Sequence, residues 1–324
     1  MSEVTYLDAI RTAMQEEMER DERVFLIGED VGAYGGAFKT SAGLIERFGP
    51  ERVIDTPISE VAIAGAAAGA ALMGMRPIAE MQFIDFITVA YDMLVNFAAT
   101  SRYRVGSPCP MVVRGPAGGG VHGGPFHSLN PEAMFMNRPG IKIVAPGTAY
   151  DAKGLLKAAI RDDDPVLFIE HKFLYRRIKE NLPEDDYVVP IGKANVRRKG
   201  KDLTILTWGA MIYVADDAAA QLEKDGVSVE IVDLRSIIPF DEEAILESVA
   251  KTNRVVILHE APLTGGAGAE FAARIAEKAF EYLDAPIKRV ASLDCPVAYA
   301  PILEEAILPG SADVLKAIRT LAAY

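Results

Sequence analysis

Residues 52–75 read RVIDTPISEVAIAGAAAGAALMGM, and this stretch decides the fold class. A short β-branched run comes first, and a run of small and apolar residues typical of a buried helix follows it. The run from Val61 to Met75 is shorter than the roughly 20 residues that a membrane span requires. We therefore expect a strand followed by a buried helix, which is the repeating unit of a parallel α/β sheet.

The same alternation of strand and helix patterns extends in both directions along the chain. It runs through VFLIG, RVIDT, PMVVRG, IKIVAP and PVLFIE, and it restarts later with DLTILTWG, VSVEIVDLR and RVVILHE. Between the two series, residues 181–191 are acidic and contain Pro183 and Pro190, a composition typical of a domain boundary. We predict one α/β domain with a parallel sheet over residues 1–190 and a smaller α/β domain over residues 191–324.

Composition excludes several classes of function. The formal net charge is -12 and the basic residues are dispersed, which argues against a nucleic-acid surface. Cys109 and Cys295 are far apart, so neither a disulfide framework nor a structural zinc site is indicated. The N-terminus shows no signal or transit peptide. We expect a cytoplasmic protein, or one in the mitochondrial matrix if a transit peptide has been removed.

The segment GPAGGGVHGG, Gly115 to Gly124, matches the formal GxGxxG pattern at Gly118, Gly120 and Gly123. A dinucleotide-binding fingerprint must open a helix, whereas Pro125 follows here and the acidic residue expected about 20 positions later is missing. Glycine does permit close approach to another molecule. We favour a functional loop over an inert turn.

His127 lies at the end of this loop, and an imidazole in such a position can exchange protons near neutral pH. A lone histidine is more often structural, and His122 in the same loop is the second candidate.

Glu60 stands at the predicted start of the alanine-rich helix, and two interpretations remain open. The carboxylate can simply favour the helix N-terminus, with Ser59 as the cap. Alternatively, it is a partly buried acid that binds a ligand nitrogen. Core packing is the default expectation for Phe83 and Phe86.

Eight strings occur in one order over nearly the whole chain, from about Tyr6 to the C-terminus. They are GEDVGAYGGAFKT, DTPISEVAIAGAAAGAA, AEMQFIDF, SRYRVG, FHSLNPEA, DAKGLLKAAIRDDDPVLFIEHK, DLRSIIPFD and HEAPLTGGAG. Together they resemble the beta subunits of the decarboxylating component of branched-chain 2-oxo acid, pyruvate and acetoin dehydrogenases. The resemblance implies that the first domain binds the aminopyrimidine half of thiamine diphosphate, and that the second is similar to the transketolase C-terminal domain.

The resemblance also assigns site residues. Glu60 matches the glutamate that contacts the pyrimidine ring, and Phe86 matches the aromatic residue that packs on that ring. Glu29 and Gln82 fall in motifs that line the cofactor region. His127 matches the active-site histidine that handles the thiamine intermediate and the incoming lipoyl group. Branched-chain relatives often have tyrosine where this chain has Phe86, so the substrate stays open.

Relatives bind a potassium ion beside the segment IRDDDP, chiefly through backbone oxygens. The matching residues are Met111, Val112, Ala159, Asp162 and Asp164. The alternative is an ordinary acidic loop.

The sequence contains no GDG motif, which in this superfamily binds the magnesium and diphosphate of the cofactor. The resemblance therefore implies an alpha subunit that supplies this half, an alpha2beta2 heterotetramer, and acyl transfer to lipoyl-lysine of an acyltransferase core. HEAPLTGG favours a branched-chain 2-oxo acid, with pyruvate next, whereas FIEHK resembles acetoin-type members. The rival interpretations are a transketolase-like fragment and a catalytically silent scaffold, and retention of Glu60, Phe86 and His127 argues against the scaffold.

Overall fold

The computed structural model describes residues 3–321 and Tyr324. The chain divides into two compact units, the first comprising Met1–Ala117 and Met134–Ile191 and the second Gly118–Ala133 and Gly192–Tyr324. The segment 118–133 thus belongs to the second unit, although it lies within the predicted range of the first domain.

The first unit carries its strands and helices in alternation. The strands are β1 (Glu3–Thr5), β2 (Val24–Glu29), β3 (Val53–Thr56), β4 (Arg76–Glu80), β5 (Val112–Ala117), β6 (Lys142–Val144), β7 (Val166–His171) and β8 (Lys179–Asn181). The helices are α1 (Tyr6–Arg20), α2 (Leu44–Phe48), α3 (Glu60–Leu72), α4 (Ser101–Val105), α5 (Glu132–Met136), which begins in the segment of the second unit, and α6 (Ala149–Arg161). A 3-10 helix spans Ile84–Thr88 and a π-helix spans Met93–Ala98.

Within the first unit, the central strands form a parallel sheet in the order β6-β7-β5-β4-β2-β3. Strands β2, β5 and β7 are buried along their whole length, because helices cover both faces of such a sheet. This confirms the parallel α/β sheet that the β-branched runs predict. A separate antiparallel ribbon pairs β1 with β8.

Strand β3 and helix α3 confirm the strand and helix predicted for residues 52–75, with two differences. Only one face is buried, by residues such as Ile63, Ala67 and Ala71, whereas Ala62 and Ala66 on another face are exposed. Ser59 does occupy the N-cap position, but its side chain makes no capping hydrogen bond.

The second unit is a smaller α/β structure. Its strands are β9 (Asn195–Arg198), β10 (Leu203–Thr207), β11 (Val229–Asp233), β12 (Ser236–Ile238), β13 (Val255–Pro262) and β14 (Lys288–Ser292). Its helices are α7 (Met211–Lys224), α8 (Glu242–Thr252), α9 (Gly268–Lys278), α10 (Pro301–Ile307) and α11 (Ser311–Leu321), with a 3-10 helix over Phe280–Tyr282.

The sheet of this unit has the order β14-β13-β10-β11-β9, and β9 alone among these strands runs antiparallel to its neighbour. The predicted alternation after Pro190 is therefore confirmed. In neither part of the described chain is a helix both long and apolar enough to cross a bilayer.

Candidate active site

The carboxyl ends of parallel strands meet at one edge of the sheet in the first unit, which is where open α/β sheets bind ligands. Glu29 ends β2, Thr56 ends β3 and Glu80 ends β4. Glu29 stands in register with Thr56, and Gly28 stands in register with Glu80. The sheet itself therefore brings two carboxylates and a hydroxyl to one edge.

Glu29 and Glu60 form an acidic pair at this edge. Glu29 is only 5% exposed and Glu60 only 8%. Burial raises the pKa of Glu29, the charge of Glu60 raises it further, and a backbone hydrogen bond from Ser59 offsets these effects only in part. A buried acid beside a second acid favours protonation or a ligand that donates hydrogen bonds.

The edge also holds polar atoms that lack partners. Glu29 Oε1 and Thr56 Oγ1 are buried and meet no hydrogen-bond partner among the described residues. Glu60 is 8% exposed, and no hydrogen bond or ion pair within residues 3–321 engages its carboxylate. Because nearly all buried polar groups in folded proteins are paired, these atoms indicate a binding site for a polar ligand.

Glu80, in contrast, is paired within the core. Its carboxylate pairs with the Arg114 guanidinium, which also bonds Glu170, and the Tyr175 hydroxyl donates to Glu170 over 2.6 Å. Burial raises the pKa of Glu80 although Arg114 opposes this. The cluster is a satisfied structural network, and it supports the sheet edge without offering a free group.

The remaining cofactor residues from the sequence lie near this edge. The Gln82 amide donates to Asp30 Oδ2 over 3.1 Å, which ties Gln82 to the residue after Glu29. Phe86 lies on the 3-10 helix Ile84–Thr88 and is 36% exposed, so the default expectation of core packing is wrong for Phe86. The ring presents part of its apolar surface at the sheet edge.

In the second unit, the glycine-rich loop is held by two carboxylates. Glu260 Oε1 accepts from the Gly119 amide over 2.6 Å and from Asn130 Nδ2 over 3.0 Å. Glu304 Oε1 accepts from the Gly120 amide over 2.8 Å. The amide groups that a dinucleotide phosphate would need therefore already bind protein carboxylates, so the GxGxxG match marks no phosphate site.

Both histidines of this loop lie in the second unit. His122 Nδ1 contacts Glu304 Oε2 over 2.6 Å, and the His122 amide also faces this carboxylate. His127 is half-buried, its Nδ1 lies 3.2 Å from the Gly123 carbonyl and its amide donates to the Gly124 carbonyl. His122 thus has a structural partner, whereas the ring of His127 is fixed by its own loop.

The C-terminal end of the loop is anchored by the one tryptophan of the chain. Trp208 Nε1 donates to Glu132 Oε1 over 2.9 Å, and its ring stacks on His259 with centroids 5.5 Å apart. Burial and, to a smaller extent, the charge of Arg289 together lower the pKa of His259 to about 4. A neutral imidazole packed inside the unit is structural.

Sequence reasoning missed Thr56, Trp208, Glu260 and Glu304. A signal existed for Glu260, which lies within the HEAPLTGGAG string, but no local pattern marks Glu304.

The segment predicted to hold potassium is rich in oxygens that already have partners. The carbonyls of Met111 and Ala159 each accept one amide, from Val166 and Asp162 respectively. Val112, another of the residues predicted to bind potassium, lies within β5.

The carboxylates of this segment are paired with protein cations. Lys142 Nζ lies 2.6 Å from Asp162 Oδ2, and Arg102 Nε lies 2.6 Å from Asp164 Oδ1. Arg76 donates to the Asp162 carbonyl over 2.8 Å. Backbone carbonyls that accept one amide keep a second lone pair, through which a potassium ion could bind. No group of three or more His, Cys, Asp or Glu side chains within the described chain converges as a metal site.

Comparison with known proteins agrees with this architecture. The model described as the transketolase pyrimidine binding domain matches residues 2–177, and the one described as the transketolase C-terminal domain matches residues 192–314. A solved structure described as a split gene transketolase, inactive beta4 tetramer, has a TM-score of 0.81 at 24% identity, covering 99% of this chain and 98% of that chain. That likeness shows a shared fold.

Relatives at higher identity are beta subunits. The chain is 55% identical to the 2-oxoisovalerate dehydrogenase subunit beta of Bacillus subtilis (strain 168), over 100% of both chains. It is 46% identical to the mitochondrial 2-oxoisovalerate dehydrogenase subunit beta 2 of Arabidopsis thaliana, over 98% of this chain and 88% of that one. It is 45% identical to the pyruvate dehydrogenase E1 component subunit beta of Rickettsia felis, over 99% of each. The chain therefore belongs to the transketolase-like family of 2-oxo acid dehydrogenase beta subunits.

Proposed function

We propose that this chain provides the pyrimidine half of a thiamine-diphosphate site and acts with an alpha subunit in the oxidative decarboxylation of a 2-oxo acid. The observation that carries the proposal is the buried acidic pair Glu29 and Glu60 at the sheet edge, beside Glu29 Oε1 and Thr56 Oγ1, which meet no hydrogen-bond partner within the described chain. An aminopyrimidine offers the hydrogen-bond donors that such oxygens require.

Glu60 is the catalytic carboxylate of this proposal. Bound thiamine diphosphate supplies the electron sink that stabilises the carbanion formed on decarboxylation. The Glu60 carboxylate, buried beside Glu29, is positioned to stabilise positive charge on a pyrimidine ring nitrogen. Glu29 holds the adjacent acidic position, where burial and the charge of Glu60 raise its pKa.

Phe86 and Gln82 orient the ligand. The Phe86 ring is exposed at the edge and presents an apolar surface to the pyrimidine. Gln82, fixed on Asp30, keeps its side-chain oxygen available as an acceptor.

His127 serves the later half of the reaction, as a proton donor and acceptor during transfer of the acyl group to lipoyl-lysine of an acyltransferase core. In that transfer the electron pair left on the substrate carbon by loss of carbon dioxide reduces the lipoyl disulfide: the S–S bond breaks, one sulfur receives the acyl group and the other receives a proton. The Nδ1 atom of His127 contacts the Gly123 carbonyl oxygen. Because a carbonyl oxygen only accepts, Nδ1 must donate to it, and this sets the tautomer of the neutral His127 ring.

The other ligands follow from the same reasoning. The alpha subunit of an alpha2beta2 heterotetramer supplies most contacts to magnesium and the diphosphate, since the sequence has no GDG motif. A potassium ion binds through backbone oxygens near Met111 and Ala159. The two functional domains are residues 1–190 and 191–324, and the protein acts in the cytoplasm or the mitochondrial matrix.

A branched-chain 2-oxo acid is the favoured substrate and pyruvate is the second. The two relatives at 55% and 46% identity carry the 2-oxoisovalerate name, and the relative at 45% carries the pyruvate name. Phe86 keeps pyruvate in consideration, as it stands where branched-chain relatives often have tyrosine.

The test is reconstitution of this chain with its alpha subunit, followed by decarboxylation assays with a series of 2-oxo acids and with acetoin. We expect turnover of a branched-chain 2-oxo acid by the heteromer, and neither turnover nor tight magnesium-dependent cofactor binding by this chain alone. Calorimetry that shows tight binding to the isolated chain would overturn the split site. Turnover of acetoin alone would reassign the substrate, and a fully assembled but inactive heteromer would favour the silent scaffold.

A further inference from the structure

The loop that carries His127 has no regular structure of its own before Glu132. Three of its glycines, at positions 118, 120 and 124, adopt positive φ angles, and so does His122 with φ of 59°. Backbone of this kind costs conformational entropy to order. The loop has internal hydrogen bonds, such as that from the Gly118 amide to the Leu129 carbonyl, and contacts from outside it add to these in fixing its shape.

Two carboxylates from the body of the second unit supply those contacts, on both sides of His127. Before it, Gly119 binds Glu260, whereas Gly120 and His122 bind Glu304. After it, Asn130 returns to Glu260 over 3.0 Å. The same Glu260 oxygen thus closes the loop on itself, with His127 between the two attachment points.

Burial makes these contacts strong. Glu304 is 2% exposed and Glu260 7% exposed. Hydrogen bonds to a buried ionised group are roughly twice as strong as neutral ones, and loss of one leaves a desolvated donor or acceptor. Close packing adds to this, because a Cβ at Gly119 would lie 2.8 Å from Leu308 Cδ1 and one at Gly124 would lie 2.2 Å from the Tyr299 ring.

We propose that Glu260 and Glu304 are positioning residues for His127, which hold its loop in the one shape that the acyl-transfer step uses. This inference rests on the proposed function and adds to it two carboxylates that act through the loop and not on the reacting atoms. Their effect on the reaction should therefore fall on the step that needs His127 and spare the step that needs Glu60.

The test compares Glu304→Gln and Glu260→Gln with Glu305→Gln in the reconstituted tetramer. Glu305 is the exposed neighbour of Glu304 on α10 and serves as the matched control. In Glu304→Gln the charge is lost and one of the two acceptor oxygens becomes an amide donor, so a single oxygen remains to accept from the Gly120 and His122 amides.

Three readouts separate positioning from a general structural defect. The first is hydrogen exchange of amides 118–130 by mass spectrometry, which we expect to accelerate by about 10-fold, as suits the loss of one net hydrogen bond. The second is acyl transfer to lipoamide, expected to slow by about 10²-fold as for a displaced catalytic group. The third is deuterium exchange at C2 of the bound cofactor, expected to stay within about 2-fold of wild type, below the ~10-fold scale of a lost contact.

A double mutant completes the test. If the carboxylate acts through His127, Glu304→Gln should slow acyl transfer no further once His127→Ala is present, because coupled residues are not additive. Unchanged amide exchange in the loop, equal slowing of both chemical steps, or fully multiplicative effects in the double mutant would each overturn the proposal. If the wild-type tetramer turns over no 2-oxo acid, the proposed function fails, and the amide exchange still decides whether the carboxylates hold the loop.

Discussion

Buried carboxylates lie at the sheet edge of the first unit and against the glycine loop of the second unit, but the two sets differ in their hydrogen-bond partners. At the edge, Glu29 and Glu60 lie side by side, Glu60 has no partner within residues 3–321, and Glu29 Oε1 has none either. In the loop, Glu260 and Glu304 accept from backbone amides and side chains. Buried acids without partners indicate a ligand, whereas buried acids with several partners indicate a scaffold.

The largest test of this contrast is Glu60→Gln. The amide keeps the size of the side chain but cannot stabilise a cationic ring nitrogen, so deuterium exchange at C2 of the bound cofactor should slow by about 10³-fold. Stability should change by less than about 1 kcal/mol, the usual worth of a charge at a helix N-terminus. Glu51→Gln, at an exposed position, serves as the control. Normal exchange in a folded Glu60→Gln tetramer would remove Glu60 from the mechanism.

His127→Ala tests the chemistry that the loop supports. Acyl transfer to lipoamide should fall by about 10²-fold, within the range for loss of a general acid or base, while the affinity for the cofactor changes much less. The measurement is single-turnover transfer set against calorimetric binding. His122→Ala is the comparison, because His122 contacts a structural carboxylate. Normal overall activity of His127→Ala would make this histidine structural.

Substitution of Gly124 and of Gly265 by alanine tests whether packing shapes the loop. Gly124 has φ of 70° and a Cβ there would meet the Tyr299 ring, whereas Gly265 has φ of 69° and nothing within 4 Å. Gly265→Ala should cost about 1 to 2 kcal/mol from backbone strain alone. Gly124→Ala should add about 1 to 3 kcal/mol for the steric overlap. Equal midpoints in chemical denaturation would contradict the packing argument.

The smallest expected effect concerns Glu29 and pH. Its pKa in the folded protein is raised by burial and by Glu60, so its contribution to stability is full below the ordinary value near 4.5 and is lost as pH rises through the folded value. Glu29→Gln should therefore be more stable than wild type at neutral pH, and the difference should vanish at low pH. Denaturation of the cofactor-free protein between pH 4 and pH 8 checks this. A variant less stable than wild type at neutral pH would show that Glu29 is already satisfied.

Much of this fold was predictable, because its information is local. The β-branched runs predict the parallel strands, and the small residues after Glu60 predict α3. The chemistry of the loop was not predictable, since Gly119 and Glu260 are 141 residues apart and Gly120 and Glu304 are 184 apart. A single sequence does not show such distant pairs.

Two differences from the sequence-based expectations have a common cause. Phe86 is exposed and Ser59 makes no capping bond, although residue type alone favours the opposite in each case. Both residues lie beside the sheet edge, where local preferences give way to the needs of a binding site. The roles assigned to Glu60, His127, Glu29 and Gln82 came from resemblance and stay predictions until the variants are measured.

The membership of residues 118–133 in the second unit has a consequence for exchange of domains between relatives. A hybrid gene joined near residue 190 would unite the glycine loop of one parent with the Glu260 and Glu304 positions of the other. Any co-adapted difference between loop and carboxylates would then be broken by a crossover far from both. Natural recombination and engineered substrate switching should therefore succeed more often when residues 118–133 are exchanged together with the C-terminal half of the chain.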